Sequence, residues 1–278
     1  MMENRGKTSP HRLQQAQSRL SRTASLEGRP GIVLLDRDLP ALETVARSRP
    51  SAISLIHGLE REGRVRRVRR GVYVLVDSSG SIRVGALDLV AALTPSPYLV
   101  SGGRALQFHE LTDQHFRRLQ VLVAAPQRPW SWRGDEVIYV RTARKLKGRA
   151  ARTRRTRARV ATPERALVDC LSHPHWGVTL GQVVEALDKM LARDPAAADA
   201  LAAETADSGS HATARRFGFL VSFLAGEGAA RPFLLLRGAS KASTPLQAGG
   251  PATGPVDSTW RLRENVDLER LLQHREVG

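Results

Sequence analysis

The chain has 278 residues, with 43 Lys or Arg against 27 Asp or Glu, a formal net charge of +16 and a pI near 11.3. Hydrophobic residues make up 41% and charged residues 25%, a globular composition and not a disordered one. The single cysteine excludes a disulfide framework and a multi-cysteine zinc finger, and no apolar run reaches the roughly 18 residues of a membrane-spanning helix. The first residues, MMENRGKTSPHRLQQAQ, carry no apolar block of the signal-peptide kind, so a cytoplasmic location away from membranes is expected. Positive charge in this excess favours a polyanionic partner, most simply nucleic acid.

Residues 1–10 have the composition of a disordered tail. A first domain is expected over 11–82. There Leu13, Ala16, Leu20 and Ala24 recur at helical spacing, and Glu27-Gly28-Arg29-Pro30-Gly31 ends the helix. Ile32 to Leu35 is a short apolar strand. Leu39 to Ala46 forms a helix with Pro40 in its first turn. After the turn Ser48-Arg49-Pro50, a third helix runs over 51–61. It has Ala52, Leu55, Ile56 and Leu59 on one face and Ser51, Ser54, His57, Gly58 and Arg61 on or near the other, and Gly63 suits its C-terminal stop. Arg64 to Val76 then makes two strands joined near Arg69-Arg70-Gly71, where Gly71 supplies a positive φ. Helix, short strand, two helices and a β-hairpin is the order of a winged helix-turn-helix, whose last helix enters the major groove.

Residues 83–278 form a second, mixed α/β domain with a helix-rich C-terminal half, so the fold class is α+β. Helices are expected over Val84–Leu93, Gly102–Glu110, Leu180–Ala192, Pro195–Thr205 and Ala212–Leu224, with a short one over Leu268–Glu276. Strands are expected over Tyr98–Val100, Leu119–Ala125, Glu136–Arg141 and Phe233–Leu236, with a further one within Arg152–Val160. The segment PQRPWSWRGD is expected as a loop, as are residues 239–257. Thr162 should cap a helix through Leu171, with Pro163 first and Glu164 in its first turn.

Candidate DNA-binding residues follow from this layout. Ser51, Ser54 and His57 give the third helix a small polar face able to approach base edges, while Arg49, Arg61, Arg64, Arg66, Arg67, Arg69 and Arg70 suit phosphates. A second basic run holds Arg144, Lys145, Lys147, Arg149, Arg152, Arg154, Arg155, Arg157 and Arg159 with no acid among them. It extends the DNA footprint, faces an acidic patch on a protein partner, or is a solvated face.

Enzymatic signals are poor. Asp36 and Asp38 have the spacing of a nucleotidyltransferase carboxylate pair, yet no Gly-Ser phosphate cradle precedes them, and capping of the second helix explains them. No lysine has Asp or Glu two positions before it, as a restriction-type nuclease requires. Cys170, His173 and His175 are close in sequence but read as a partly buried helix end. No catalytic residue, metal or cofactor is expected.

The string GRVRRVRRGVYVL, the segment from Tyr98 to Gln114 (YLVSGGRALQFHELTDQ) and the segment from Val160 to Asp169 (VATPERALVD) stand in order along the chain. Together they resemble AbiEi-type antitoxins of type IV toxin–antitoxin systems over about Leu34 to Leu171. Glu110 stands where many relatives have Gly after the histidine. The resemblance implies a winged-helix head that binds repeat DNA at the promoter and represses its own operon. It also implies an antitoxin domain opposing a nucleotidyltransferase-like toxin. Two alternatives stay open: the same head fused to a restriction-like nuclease, and a transcription factor whose C-terminal domain senses a ligand.

Overall fold

The computed structural model describes residues 9–143, 146, 150 and 157–273. The chain divides into two compact units, Met1–Thr94 and Pro95–Gly278. The first reaches past the boundary expected at residue 82. Buried Val84 approaches Gly31 so closely that a Cβ there would meet its Cγ2 at 3.0 Å, which ties the segment after the hairpin to the first unit.

In the first unit, helix α1 (Pro10–Leu26) buries Leu13, Ala16, Leu20 and Ala24, the stripe seen in the sequence. Its last turn closes through Gly28 at φ +74°, which lets the Arg29 amide donate to the Ala24 carbonyl at 2.8 Å. Of the expected tail, residues 1–8 lie outside the described residues, and Pro10 opens this helix. Strand β1 (Ile32–Leu34) leads directly into α2 (Leu35–Ala46), which begins earlier than expected and places Pro40 inside the helix. The cause is Asp38, whose carboxylate accepts the Leu34 amide at 2.7 Å and so serves the cap. The same carboxylate takes two bonds from the Arg29 guanidinium, at 2.8 and 3.0 Å, and both side chains are buried. Arg29 also donates to the Ile32 carbonyl and pairs with Glu27.

Helix α3 (Arg49–Arg61) starts two residues before the expected Ser51. Ser48 is its cap, accepting the Ser51 amide, and Pro50 occupies the first turn. Strands β2 (Val65–Arg69) and β3 (Val72–Leu75) form an antiparallel hairpin, and β1 pairs antiparallel with β3, giving the order β1-β3-β2. Leu13, Leu20, Leu42, Ala52, Ile56, Leu59, Val65 and Tyr73 belong to one core beneath this sheet and the three helices. Helix α4 (Ala86–Leu93) completes the unit.

The second unit is built on β4 (Tyr98–Ser101), β5 (Arg118–Val123), β6 (Trp130–Trp132) and β7 (Asp135–Arg141), in the order β4-β5-β7-β6. Helix α5 (Gly103–Phe108) follows β4. β5 and β7 are parallel, while the other neighbours are antiparallel. The segment expected as a loop thus contains a strand. Its Trp-Ser-Trp pairs with β7 across a two-residue turn in which Arg133 and Gly134 have φ +50° and +85°. Most of the strand expected over 152–160 lies outside the described residues. At its end, Val160 bridges Val100, whose amide donates to the Arg159 carbonyl at 2.8 Å.

Helices α6 (Pro163–Ser172), α7 (Leu180–Arg193), α8 (Ala197–Ser208) and α9 (His211–Ala225) make the helix-rich half. Thr162 caps α6 by accepting the Arg165 amide, as its sequence predicts. After α10 (Glu227–Ala230), a 3-10 helix covers Arg231–Phe233 and Leu234–Leu236 follow as a turn, so the segment 233–236 is not a strand. Phe233 is fully buried beside Phe217, whereas Leu235, two residues further along the turn, is 93% exposed. Inside the expected 239–257 loop lie β8 (Thr244–Pro245) and β9 (Val256–Asp257), which flank β10 (Leu262–Arg263) in a small sheet ahead of α11 (Leu268–Gln273). Among the described residues, no helix is long and apolar enough to cross a membrane.

Candidate nucleic-acid interface

Helix α3 has two chemically distinct faces. Ala52, Leu55, Ile56, Gly58 and Leu59 are buried, so Gly58 belongs to the packed side and not to the polar side. Arg49, Ser51, Ser54, His57 and Arg61 are exposed, and Ser54, His57 and Arg61 recur at helical spacing along the opposite face. Ser51 accepts from the Ser48 hydroxyl at 2.9 Å, and Ser54 donates back to the Pro50 carbonyl at 3.1 Å. Both hydroxyls keep acceptor capacity toward solvent. Gly63, at φ +70°, ends the helix and lets the Arg64 amide donate to the Leu59 carbonyl at 2.9 Å, turning the chain at once into β2.

β2 is the edge of its sheet. A bulge between Arg67 and Arg69 breaks the alternation of the pleat. Arg66, Arg67 and Arg69 are exposed on this strand, and Arg70 is exposed in the turn, beside Gly71 at φ +74°. None of these four guanidinium groups sits in an ion pair among the described residues. Arg67 stands opposite Tyr73, whose phenol is pushed above its usual range by burial, an effect Arg67 partly offsets.

Arg64 behaves differently. It is half-buried, pairs with Glu62 at 3.0 Å and reaches the Gln17 side chain at 3.4 Å, so it braces the hairpin against α1. Arg47, which the sequence does not single out, is exposed in the turn between α2 and α3 at φ +69°. A non-glycine residue in that conformation has no local sequence signal.

Of the second basic run, Arg144, Lys145, Lys147, Arg149, Arg152, Arg154 and Arg155 lie outside the described residues. Arg157 is exposed. Arg159 is half-buried, with its Nε donating to the Tyr98 carbonyl at 3.2 Å and its amide donating to the Tyr98 hydroxyl at 3.3 Å. It therefore fixes the chain beside β4. Burial raises the pKa of that tyrosine, with the Arg159 amide and charge opposing.

A second polar cluster lies inside the Pro95–Gly278 unit. Asp169 accepts from the Ser101 hydroxyl and from Arg165 Nε, both at 2.8 Å, and Arg165 approaches Glu204 at 3.6 Å. All four are buried. His109 contacts the Ala161 carbonyl at 2.7 Å. Residues of the Tyr98–Gln114 and Val160–Asp169 segments, far apart in sequence, thus meet in one buried network. Next to it, burial raises the Cys170 thiol well above its usual pKa, which disfavours the reactive thiolate. His173 stacks on Trp176 at 4.4 Å and contacts the Asp169 carbonyl at 2.9 Å. Among the described residues, no group of three potential ligands is placed to hold a metal.

The architecture is that of a mixed α+β protein with several small sheets. No protein-family profile matches the chain, and no curated protein matches it. It is similar in structure to the crystal structure of the RV2827C protein from Mycobacterium tuberculosis, with a TM-score of 0.72 over 98% of this chain and 97% of that one. The two are 17% identical, so the likeness is one of fold.

Proposed function

We propose that the first unit is a winged helix-turn-helix that binds duplex DNA, with α3 in the major groove and the β2–β3 hairpin on the adjacent backbone. In this reading the whole protein is an AbiEi-type antitoxin that represses its own operon at promoter repeats and opposes a nucleotidyltransferase-like toxin without catalysing a reaction. One observation carries the DNA-binding half. The exposed Ser51, Ser54 and His57 lie on a helix that runs straight into a hairpin bearing Arg66, Arg67, Arg69 and Arg70, none tied up in an ion pair among the described residues. Small polar side chains next to uncompensated cations match base readout flanked by phosphate anchoring. The antitoxin half is supported by the resemblance of the Tyr98–Gln114 and Val160–Asp169 segments, which share one buried network.

The test is a cell expressing the toxin, with a reporter under the operon promoter. Replacing Arg66, Arg67, Arg69 and Arg70 with Ala in the full chain should release the reporter and leave rescue from the toxin intact. Loss of rescue in step with repression would show that neutralisation acts through DNA, and the division of labour between the units would be abandoned.

A further inference from the structure

Arg215 and Arg216 are consecutive on α9 and both buried, but they are used differently. Arg215 commits its guanidinium to the carbonyls of Arg237, Ser240 and Ala242 and to the Thr244 hydroxyl. Arg216 makes one bond, from Nε to the Pro245 carbonyl at 2.9 Å. Its two terminal nitrogens meet no acceptor among the described residues, and it is 9% exposed. Among the described residues no carboxylate offsets the charge, and burial lowers its pKa.

Arg216 lines a cavity of about 310 Å³ between the end of α6, the start of α7 and the turn that follows β8. Among the described residues lining it, Arg216 is the one charged group. Leu171, Val178, Val183 and Leu246 make most of the rest apolar. Thr179, the cap of the 14-residue helix α7, also lines it. Thr179 accepts the Gln182 amide, whereas the Leu180 and Gly181 amides belong to the first turn, where no intrahelical acceptor exists. A helix N-terminus and an uncompensated guanidinium thus converge on one apolar cavity. A largely buried guanidinium with no counter-ion among the described residues favours an anion that supplies two acceptors.

The geometry points to a binding site for a small organic monoanion, a carboxylate with an apolar body, held by Arg216 and the α7 N-terminus. A single cation matches a single negative charge, whereas a doubly charged phosphate would bring in a charge with no partner. The apolar walls take the body of the ligand. The site lies within the second unit and does not depend on the DNA-binding reading.

The experiment is calorimetric and thermal-shift titration of the full chain with sodium hexanoate and sodium benzoate, with hexanamide, benzamide and inorganic phosphate as comparisons. Carboxylate binding should be saturable below about 10 mM, and the amides should bind about tenfold or more weakly. Arg216→Met should weaken the carboxylate by a similar factor, about tenfold or more. Ala248→Trp, which puts a large side chain into the lining of the cavity and leaves the arginine in place, should abolish binding; it and the amide comparison carry the test if Arg216→Met does not fold. Equal binding of acids and amides, phosphate binding as tightly as the carboxylates, or no binding of any probe would each overturn the assignment.

Discussion

Neutralising the hairpin arginines should change the salt dependence of DNA binding far more than the stability of the protein. Six exposed arginines, Arg49, Arg61, Arg66, Arg67, Arg69 and Arg70, are available for phosphates, while Arg64 is held by Glu62 and Gln17. At about 0.9 per phosphate, six contacts make log K fall with log salt at a slope of about −5. Raising salt fourfold, from about 50 to about 200 mM, then weakens binding roughly 10³-fold. With Arg66, Arg67, Arg69 and Arg70 changed to Ala, two contacts remain, the slope flattens to about −2, and the same step costs roughly tenfold. The four side chains are exposed and hold no ion pair among the described residues, so unfolding free energy should move by no more than about 0.5 kcal/mol. Fluorescence anisotropy on operator and scrambled duplexes across a salt series measures the slope, and urea unfolding measures the stability. A slope that stays near −5 in the variant would refute the assignment of these arginines to phosphates.

Single changes of Ser51, Ser54 or His57 to Ala should each cost about 1–3 kcal/mol on the operator and little on scrambled DNA, in the same titrations. Equal losses on both would place these side chains on the backbone instead of the bases. Asp38→Ala strands the buried Arg29 guanidinium and removes the Leu34 cap, so it should destabilise the protein by about 3–5 kcal/mol in urea, and a loss under about 1 kcal/mol would count against that pair. The Asp77 carboxyl is held down to about 2, first by the Ser79 hydroxyl and then by the Ser81 amide, with Arg83 assisting. A lowered carboxylate contributes stability above its ordinary pKa near 4 and loses it as pH falls toward about 2. NMR shifts of residues 77–83 should therefore hold at about pH 4 and change below it, and Ser79→Ala should move that change to higher pH.

Features governed by neighbours in sequence were legible before the structure. The Leu13, Ala16, Leu20 and Ala24 stripe, the Thr162 cap and the glycine stops at Gly28 and Gly63 all depend on residues within one or two turns. The exposed face of α3 followed from the same periodicity, with Gly58 as the exception, since a glycine carries no polarity to mark its side. What escaped depends on distant partners or on very short elements. Trp130–Trp132 pairs over only three residues inside a Pro-rich stretch, so its alternation was too brief to register. The run Phe233–Leu236 is apolar throughout, yet only Phe233 finds a core, and composition alone does not separate a buried residue from a stranded one. Arg64 and Arg159 look like their basic neighbours in sequence. Only Glu62 with Gln17, and Tyr98, distinguish them as braces.

The position of β2 at the margin of its sheet has a bearing on how the molecule keeps to itself. An unpaired strand offers a row of backbone donors and acceptors to any other chain in extended conformation, the usual starting point of sheet-to-sheet aggregation. Here that row carries Arg66, Arg67 and Arg69, and the bulge spoils its register. Two copies approaching through this margin bring like charges together across a misaligned ladder. The side chains assigned to phosphate contact therefore also guard the sheet against its own kind, and proteins lacking them should show increased self-association at low salt, where repulsion between the wild-type margins is strongest.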